Sequence, residues 1–320
     1  MHAPIALTAG DPAGVGPELL VRLVAELRDE AAEPVVLVSS PEELRRGLEH
    51  SGLDIDLAGL LAPTHIELVD LDGAVPDGTV SAEAGRRALA GLELALSLVT
   101  AGQVAAFVFG PLNKRSLHLA GMREPDEMRW FERQLGGAAS ASEVNVNEWF
   151  WTSRVTSHVA MRDVPDLITA ESVEAATVLL HDLLTAAGRP EPRLAVCALN
   201  PHAGEQGLFG DEEERAIAPG VAAASARGVQ VTGPHPCDTL FLRGFDGTYD
   251  GIVTMYHDQG QIALKTHAFD GGVTLEAGLG FPICTPAHGT AFDIVGTGRA
   301  SLSSTRNAYR LARRLVQARP

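Results

Sequence analysis

The amino-acid sequence predicts an α/β fold with two lobes and mostly parallel sheets, from three observations. Short apolar runs recur along the chain, as at residues 5–8, 35–38 and 105–109, and segments long enough for a helix separate them. This alternation is typical of a parallel sheet covered by helices. Several runs stop abruptly at polar residues, as buried strands do where a ligand lies at their carboxyl ends. The length of 320 residues favours two lobes over one.

The composition of the chain argues against several classes of protein function. The formal net charge of −16 argues against nonspecific nucleic-acid binding, which needs a basic surface, and against binding to anionic membranes. No apolar run approaches the roughly 20 residues of a transmembrane helix, and the N-terminus lacks the features of a secretory signal. Cys197, Cys237 and Cys284 are far apart and odd in number. This predicts reduced thiols in the cytoplasm and no cysteine-based zinc site.

The first strand, at residues 5–8, runs into a glycine-rich turn at 10–16 that begins with Gly10 and Asp11. Glycines let the backbone turn tightly and approach a ligand. A helix is expected at 18–30, and its N-terminus next to the turn forms a plausible anion or nucleotide contact. The turn matches neither a Walker loop nor the full dinucleotide fingerprint, so the motif alone decides nothing.

Polar residues also follow the buried strand expected at 105–109. Lys114 lies there and suits a proton carrier or an anchor for a carboxylate. A solvated loop lysine is the alternative interpretation. The remaining elements of this half are strands at 35–38 and 66–69 and helices at 41–50 and 81–101.

Three histidines lie at the ends of predicted strands in the second half, namely His158, His202 and His257. Parallel strands bring such ends to one edge of a sheet, where three neutral imidazoles suit Zn, Co, Ni or Fe. Each histidine alone is more often structural. Asp258 can orient a metal ligand or take a proton, and Lys265 can neutralise an anion. The elements are strands at 144–159, 194–199 and 249–255 and helices at 172–187, 211–227 and 301–317.

Two further groups of residues stand out, a tryptophan cluster and a turn that contains a histidine and an aspartate. Trp130, Trp149 and Trp151 fall in one short stretch, where they form either a local core or an aromatic wall for a flat ligand. His288 and Asp293 belong to a turn of small residues and are expected near one ligand. Asp293 suits an acceptor for adenine or ribose groups.

Long motifs then carry a family resemblance. They are TAGDPAGVGPEL, SAEAGRRAL, GPLNK, LNPHAGEQGLFG, DTLF, MYHDQGQIALK and AHGTAFDIVGTGRA, from one end of the chain to the other. On these motifs the chain resembles the 4-hydroxythreonine-4-phosphate dehydrogenase family of NAD-dependent enzymes. The last motif is also similar to the adenine-binding segment of isopropylmalate dehydrogenases. The resemblance implies an isopropylmalate-dehydrogenase-like α/β/α architecture, with residues 1–125 and 285–320 in the first lobe and 126–284 in the second.

The resemblance also implies roles for individual residues. It implies a divalent metal, zinc or another transition metal, on His158, His202 and His257. His158 would complete the neighbouring subunit's site, so a homodimer is implied. Lys265 matches a substrate-binding lysine. NAD, with NADP left open, is expected near Gly10, Asp11, His288, Gly289, Thr290 and Asp293. The general base is left open between Lys114 and Asp238, and Asp258 is expected to orient a metal ligand or Lys265.

The chain departs from the family at four phosphate contacts. Glu127 and Met128 stand where the family has histidine and threonine, and Thr274 and Ile283 stand where it has asparagine and arginine. Isoleucine cannot clamp a phosphate as arginine does. At position 283, and at LFG after the NPHA motif, the chain resembles a branch of terephthalate-type dihydrodiol dehydrogenases. We therefore expect NAD- and metal-dependent oxidation of a β-hydroxy carboxylate with decarboxylation, on an unphosphorylated cis-dihydrodiol carboxylate.

Two alternatives stay open. One is a dehydrogenase of 4-hydroxythreonine-4-phosphate or of a phosphorylated sugar acid, with Arg123 or Arg129 as a new phosphate clamp. The other is an inactive homologue that acts as a binding protein, against which the intact histidines and lysines weigh. The expected partners are a small-molecule substrate and a second copy of the chain, without nucleic acid or membrane.

Overall fold

The computed structural model describes residues 3–29, 34–63, 66–70, 75–137, 141–267 and 270–318. These residues form one sheet of eleven strands. The strands are β1 Ile5–Thr8, β2 Val35–Ser39, β3 Ile66–Asp70, β4 Ala106–Phe109, β5 Ser142–Val146, β6 Trp151–Arg154, β7 Leu194–Cys197, β8 Val231–His235, β9 Gly251–Thr254, β10 Val273–Ala277 and β11 Ile283–Pro286.

The strand order is β3-β2-β1-β4-β11-β10-β5-β6-β9-β7-β8. The pairs β10–β11, β10–β5 and β5–β6 are antiparallel, and the other neighbouring pairs are parallel. The predicted α/β fold with mostly parallel strands is therefore confirmed. The α-helices are α1 Gly16–Asp29, α2 Pro41–Ser51, α3 Leu57–Leu60, α4 Ala82–Thr100, α5 Lys114–Leu119, α6 Glu127–Gln134, α7 Val164–Leu167, α8 Ala170–Ala186, α9 Ala218–Ala226, α10 Cys237–Phe245, α11 His257–His267 and α12 Ser303–Gln317.

Both faces of the sheet are covered by helices. In β1, Ile5 and Leu7 pack in the cluster that contains buried leucines of α1 and α12, whereas Ala6 packs in the cluster that contains Leu92 of α4 and Phe131 of α6. Alternate side chains of a strand point to opposite faces, so this division requires a core on each face. In the part of the chain that the structure describes, no helix combines the length and apolarity needed to span a membrane.

The predicted lobes correspond to the two ends of the sheet. Strands β1–β4 and β11 form one end, and β5–β10 form the other. The two ends meet at the antiparallel pair β10–β11, and β11 spans the predicted edge near residue 285. Because one hydrogen-bonded sheet continues through both ends, the lobe boundaries remain a prediction.

The segment 144–159, expected as one strand, is instead a hairpin of β5 and β6. Asn147 causes the turn, because its Oδ1 accepts the backbone N–H groups of Trp149 and Phe150, each at 2.9 Å. The hairpin brings β6 alongside β9, so His158 and His257 follow neighbouring parallel strands.

Candidate functional site

One cavity of about 350 Å³ gathers eight of the seventeen predicted site residues. It lies where β4, β6, β9 and β11 end, as expected for a ligand site in an α/β sheet. Its wall includes Lys114, Glu127, His158, His257, Lys265, Thr274, His288 and Gly289. The prediction that separate strand ends deliver polar groups to one place is supported by this geometry.

One face of α11 forms a wall of this cavity. His257, Gln261 and Lys265 are four residues apart along the helix and all line the cavity. Side chains at this spacing share one helix face. The sequence patterns do not predict this helix, because the polar residues after the strand expected at 249–255 are typical of a ligand-binding strand end. The spacing of the three polar residues was the available signal.

Both lysines of the chain border this cavity, Lys114 from the start of α5 and Lys265 from α11. Lys114 and Lys265 are the only lysines in the sequence, whose other permanently cationic side chains are all arginine. Each contributes a compact charge on a flexible stem, and unlike arginine a lysine can exchange a proton in catalysis. Lys114 begins α5 and borders the cavity with its Nζ 3.9 Å from Glu127 Oε2, while about half of its side chain, 51%, is exposed. Its catalytic role remains a prediction.

Two histidines lie side by side on the cavity, with 5.5 Å between the ring centroids of His158 and His257. Each ring donates its Nδ1–H to a carboxylate, at 2.6 Å to Asp126 Oδ2 and at 2.7 Å to Asp258 Oδ1. A neutral imidazole with its proton on Nδ1 has a lone pair on Nε2. Neighbouring imidazoles with carboxylates on their other nitrogens are a donor set that fits a divalent transition metal.

Electrostatics keeps His257 in the form that binds metals. Burial lowers the pKa of His257, and the hydrogen bond to Asp258 opposes this only in part, while the positive charge of Arg154 lowers the pKa further. A lowered pKa favours the neutral imidazole near pH 7. Asp258 lies where a residue that orients His257 must lie, in agreement with its predicted role.

A second group of possible metal ligands includes His158. One ligand atom each of Asp126, Glu143 and His158 lies within 4.8 Å of the others. Asp126 is engaged at both oxygens, by His158 and by the backbone N–H of Arg129, and Glu143 forms an ion pair with Arg154. These internal pairings favour a hydrogen-bonded support for His158 over a three-ligand metal site.

A row of charged side chains crosses the sheet next to the cavity, and Glu143 of this row also lines the cavity. Glu276 of β10 lies directly opposite Glu143 of β5, and Arg154 of β6 pairs with Glu143. Glu276 is 1% exposed, and both its oxygens are without a hydrogen-bond partner among the described residues. Burial and the negative charges of Glu127 and Asp126 raise the pKa of Glu276 well above its usual range, against the opposing charge of Arg154. Glu276 therefore favours its protonated form.

His202 lies apart from the other two histidines. It lines a separate cavity of about 580 Å³ together with Asp238 and Asp258. Within one chain, the described residues do not bring ligand atoms of His158, His202 and His257 into one cluster. His158 and His202 both have a backbone φ in the left-handed region, at 47° and 54°, which is rare outside glycine and concentrates at functional sites. Asp238 lines this second cavity and not the first.

The N-terminal glycine-rich turn at 10–16 packs closely against the turn at 288–296. A Cβ on Gly14 would lie 2.8 Å from the carbonyl oxygen of Thr290, which accepts the N–H of Val15 at 3.0 Å. Asp11 is 1% exposed and its Oδ1 accepts the N–H of Ala13 at 2.9 Å. Gly10 has a φ of 74°, a left-handed backbone conformation that glycine adopts readily in tight turns. Cofactor contact by Gly10 and Asp11 remains a prediction. In the structure both residues belong to the turn that packs against Thr290.

His288 offers an unpaired polar atom to the cavity. Its Nδ1–H donates to the carbonyl oxygen of Gly289 at 2.9 Å, while its Nε2 is buried and has no partner among the described residues. A hydrogen-bond donor on a bound cofactor, such as a nicotinamide carboxamide, fits this acceptor. The predicted cofactor segment therefore has a group that a dinucleotide can satisfy.

Several predicted contacts lie off the main cavity. Ile283 is fully buried in the core, opposite Phe107 in the strand register, so a direct substrate contact is not supported. Met128 is 3% exposed and lines a neighbouring cavity of about 270 Å³. Asp293 is exposed and lines neither of these two cavities.

The tryptophans form core contacts. Trp130 and Trp151 are each 4% exposed within apolar clusters, and Trp149 packs edge-on against Phe245 and His267. None of the three lines the cavity that holds the two lysines. The local-core interpretation therefore fits the structure, and the aromatic wall does not.

Comparison with known proteins identifies the family. A family model described as Pyridoxal phosphate biosynthetic protein PdxA matches residues 30–312. The chain belongs to this family. A Pseudomonas aeruginosa protein provisionally named 4-hydroxythreonine-4-phosphate dehydrogenase 2 is 45% identical and is covered over 98% of both proteins. A Salmonella typhimurium protein named D-threonate 4-phosphate dehydrogenase is 38% identical, again over 98% of both proteins.

Solved structures give the same family and correct one expectation. A 4-hydroxythreonine-4-phosphate dehydrogenase from Klebsiella pneumoniae is 37% identical with a TM-score of 0.79, over 98% of this chain and 100% of that chain. A terephthalate 1,2-cis-dihydrodiol dehydrogenase from Burkholderia xenovorans is 28% identical with a TM-score of 0.68, over 97% of both chains. The expected closeness to the dihydrodiol branch is therefore not confirmed, because the relatives named for phosphorylated substrates match better.

Proposed function

We propose that this chain is a dehydrogenase that oxidises a secondary alcohol of a phosphorylated four-carbon hydroxy acid. The substrate class is that of 4-hydroxythreonine-4-phosphate and D-threonate 4-phosphate, the compounds for which near-full-length relatives are named. The observation that carries the proposal is the single cavity on which both lysines and three histidines meet. An anionic hydroxy acid needs cations at its ends and a metal or base at its hydroxyl, and this wall offers each of them.

Lys265 is the residue to which we assign the phosphate. It lines the cavity on the same helix face as His257. Arg129, a clamp expected from the sequence, lies on the neighbouring cavity and donates to Glu132 Oε2 at 2.6 Å, and Arg123 lines neither cavity. The lysine thus replaces the arginine clamp that the resemblance leads one to expect at position 283.

Lys114 is the residue to which we assign the hydroxyl proton. Glu127, 3.9 Å from Lys114 Nζ, holds the amine at the cavity, and Asp238 lies on the other cavity. Gln261 donates to Asn145 Oδ1 at 2.5 Å, and Asn145 donates to Thr274 Oγ1 at 3.2 Å, so these polar groups form an ordered wall for substrate hydroxyls. When bound, a divalent metal acidifies the substrate hydroxyl and a nicotinamide dinucleotide supplies the hydride acceptor.

A homodimer is part of the proposal. His158 and His257 share one cavity and His202 lines another, so a three-histidine site is incomplete in one chain. A second copy can supply the missing histidine. The resemblance names His158 as the residue given to the neighbour, whereas the pairing of His158 with His257 within one chain favours His202 for that role.

A specific observation favours an unphosphorylated substrate as the second candidate. The N-terminus of α6 is a natural anion site, but the carboxylate of Asp126 already caps it. Glu127 and Glu143 add further negative charge to the cavity wall. A cis-dihydrodiol carboxylate, oxidised and then decarboxylated, needs no phosphate site and remains the alternative.

The test compares substrates and two variants. Zinc- or cobalt-loaded protein is assayed for NADH and CO2 formation with D-threonate 4-phosphate, 4-hydroxythreonine-4-phosphate, their unphosphorylated forms and cis-dihydrodiol carboxylates. We expect turnover of a phosphorylated acid, and a loss of kcat/KM by about 10- to 100-fold in Lys265→Ala, since a charge-assisted contact is lost. Arg129→Ala is the matched control and should stay near the parent. Turnover of dihydrodiols alone would overturn the phosphate assignment.

A further inference from the structure

Asp126 is fixed at both of its carboxylate oxygens. It is 3% exposed, and its Oδ1 accepts the backbone N–H of Arg129 at 2.9 Å as the N-cap of α6. Its Oδ2 lies 2.6 Å from Nδ1 of His158. An ionised carboxylate tied to a helix end is a rigid acceptor.

His158 needs an external support. It follows β6 in a loop, its φ is 47°, and its side chain is about one third exposed, at 34%. The ring packs beside the ring of His257, but this contact does not choose between the two nitrogens, and a neutral imidazole can carry its proton on either. A carboxylate on Nδ1 selects the Nδ1–H tautomer and leaves Nε2 as the lone pair for a ligand.

We propose that Asp126 is a positioning residue that fixes the tautomer and the orientation of His158 at the cavity. The inference rests on the proposed function for the metal that Nε2 of His158 would bind. Asp126 thus has two roles, as the N-cap of α6 and as the hydrogen-bond partner of His158. The N-cap bond fixes the carboxylate, and the fixed carboxylate orients the histidine ring.

Serine separates the two roles of Asp126. Asp126→Ser keeps an N-cap oxygen for α6, because serine caps helices about as well as aspartate, but its side chain is too short to reach His158. Asp56→Ser is the matched control, since Asp56 caps α3 by accepting the N–H of Gly59 at 2.7 Å on the exposed surface. Asp126→Asn keeps an acceptor oxygen at full reach and should retain part of the effect.

Two readouts follow on the full-length protein. Nitrogen-15 spectra of the histidine rings, assigned with His158→Gln, should show the Nδ1–H tautomer of His158 in metal-free parent protein and its loss in Asp126→Ser. Zinc affinity, measured by competition with a chelator, should fall by about 10- to 100-fold in Asp126→Ser, the usual effect of removing a carboxylate behind a metal-binding histidine. Asp56→Ser should leave both readouts unchanged.

The outcomes separate this inference from the proposed function. An unchanged tautomer in Asp126→Ser, or zinc on Nδ1 of His158 in the loaded parent, would overturn the role of Asp126 while the dehydrogenase assay still stands. Failure of the parent to bind zinc would remove the metal from the proposed function. In that case the metal-free tautomer would still decide whether Asp126 orients His158.

Discussion

At the residue scale, the least expected group is the buried acid of β10. Glu276 has no hydrogen-bond partner among the described residues, and burial raises its pKa well above 4.5. A raised acid pKa means that the folded chain binds more protons than the unfolded chain, so stability falls as pH rises from about 4.5 through the raised value. Glu276 is therefore a cost to the fold at neutral and alkaline pH and a neutral group in acid.

Glu276→Gln should remove that cost. We expect a Tm higher than that of the parent by about 2 °C or more at pH 8, with the difference shrinking towards pH 4.5, as measured by thermal melts across pH. Glu148→Gln, at an exposed glutamate, is the control and should show no such trend. A Tm difference that does not change with pH would contradict the assignment of a protonated Glu276.

At the element scale, the contact between two turns links the start of the chain to the cofactor segment. Gly14→Ala would place a Cβ 2.8 Å from the carbonyl oxygen of Thr290 and push the turn at 288–296 outward. We expect the KM for the dinucleotide to rise by about 10-fold and stability to drop by about 1–3 kcal/mol, the usual cost of overpacking. Steady-state kinetics and denaturant unfolding measure the two effects.

Gly272→Ala is the control for this substitution. Its Cβ would lie 3.4 Å from the Cβ of Ala287, an ordinary contact. If Gly14→Ala lowered stability but left the dinucleotide KM unchanged, the contact between the turns would serve folding alone.

At the scale of the whole molecule, mixtures of inactive variants can show which histidine crosses between copies. If His158 and His257 act in one copy and His202 in the other, mixing His158→Ala with His202→Ala should restore about a quarter of parental activity. This follows because half of the randomly formed dimers are mixed and each has one intact site. Mixing His158→Ala with His257→Ala should restore none.

The same two mixtures also show whether a different histidine crosses between the copies. If His158 alone crosses, as the resemblance implies, both mixtures regain activity. If neither mixture does, the three histidines do not form a site shared between two copies. Refolding or subunit exchange before the assay ensures that mixed dimers form.

The sequence predicted the mostly parallel sheet and eight of the seventeen residues that line the cavity, because both depend on local patterns. The apolar run at 5–8 indicates a buried strand, and the polar residues up to Lys114 indicate where the strand β4 ends. Both signals can be read from neighbouring residues in the sequence. The hairpin at Asn147 was missed because one side-chain turn outweighed an alternating pattern. The contact between Asp126 and His158, 32 positions apart, was beyond reach because it depends on how α6 meets the loop after β6. Ile283 was misjudged because an aligned position does not say how deep in a strand it lies.

The restriction of lysine to the cavity has a practical consequence for handling the protein. Reagents that attack primary amines, such as activated esters, aldehydes and amine-reactive resins, have few targets here: the N-terminus, Lys114 and Lys265. Fluorescent labelling or immobilisation by amine chemistry would therefore modify lysines of the proposed catalytic cavity, because the rest of the surface offers no lysine. The same scarcity makes a bound anion directly visible, as protection of two amines in a mass spectrum.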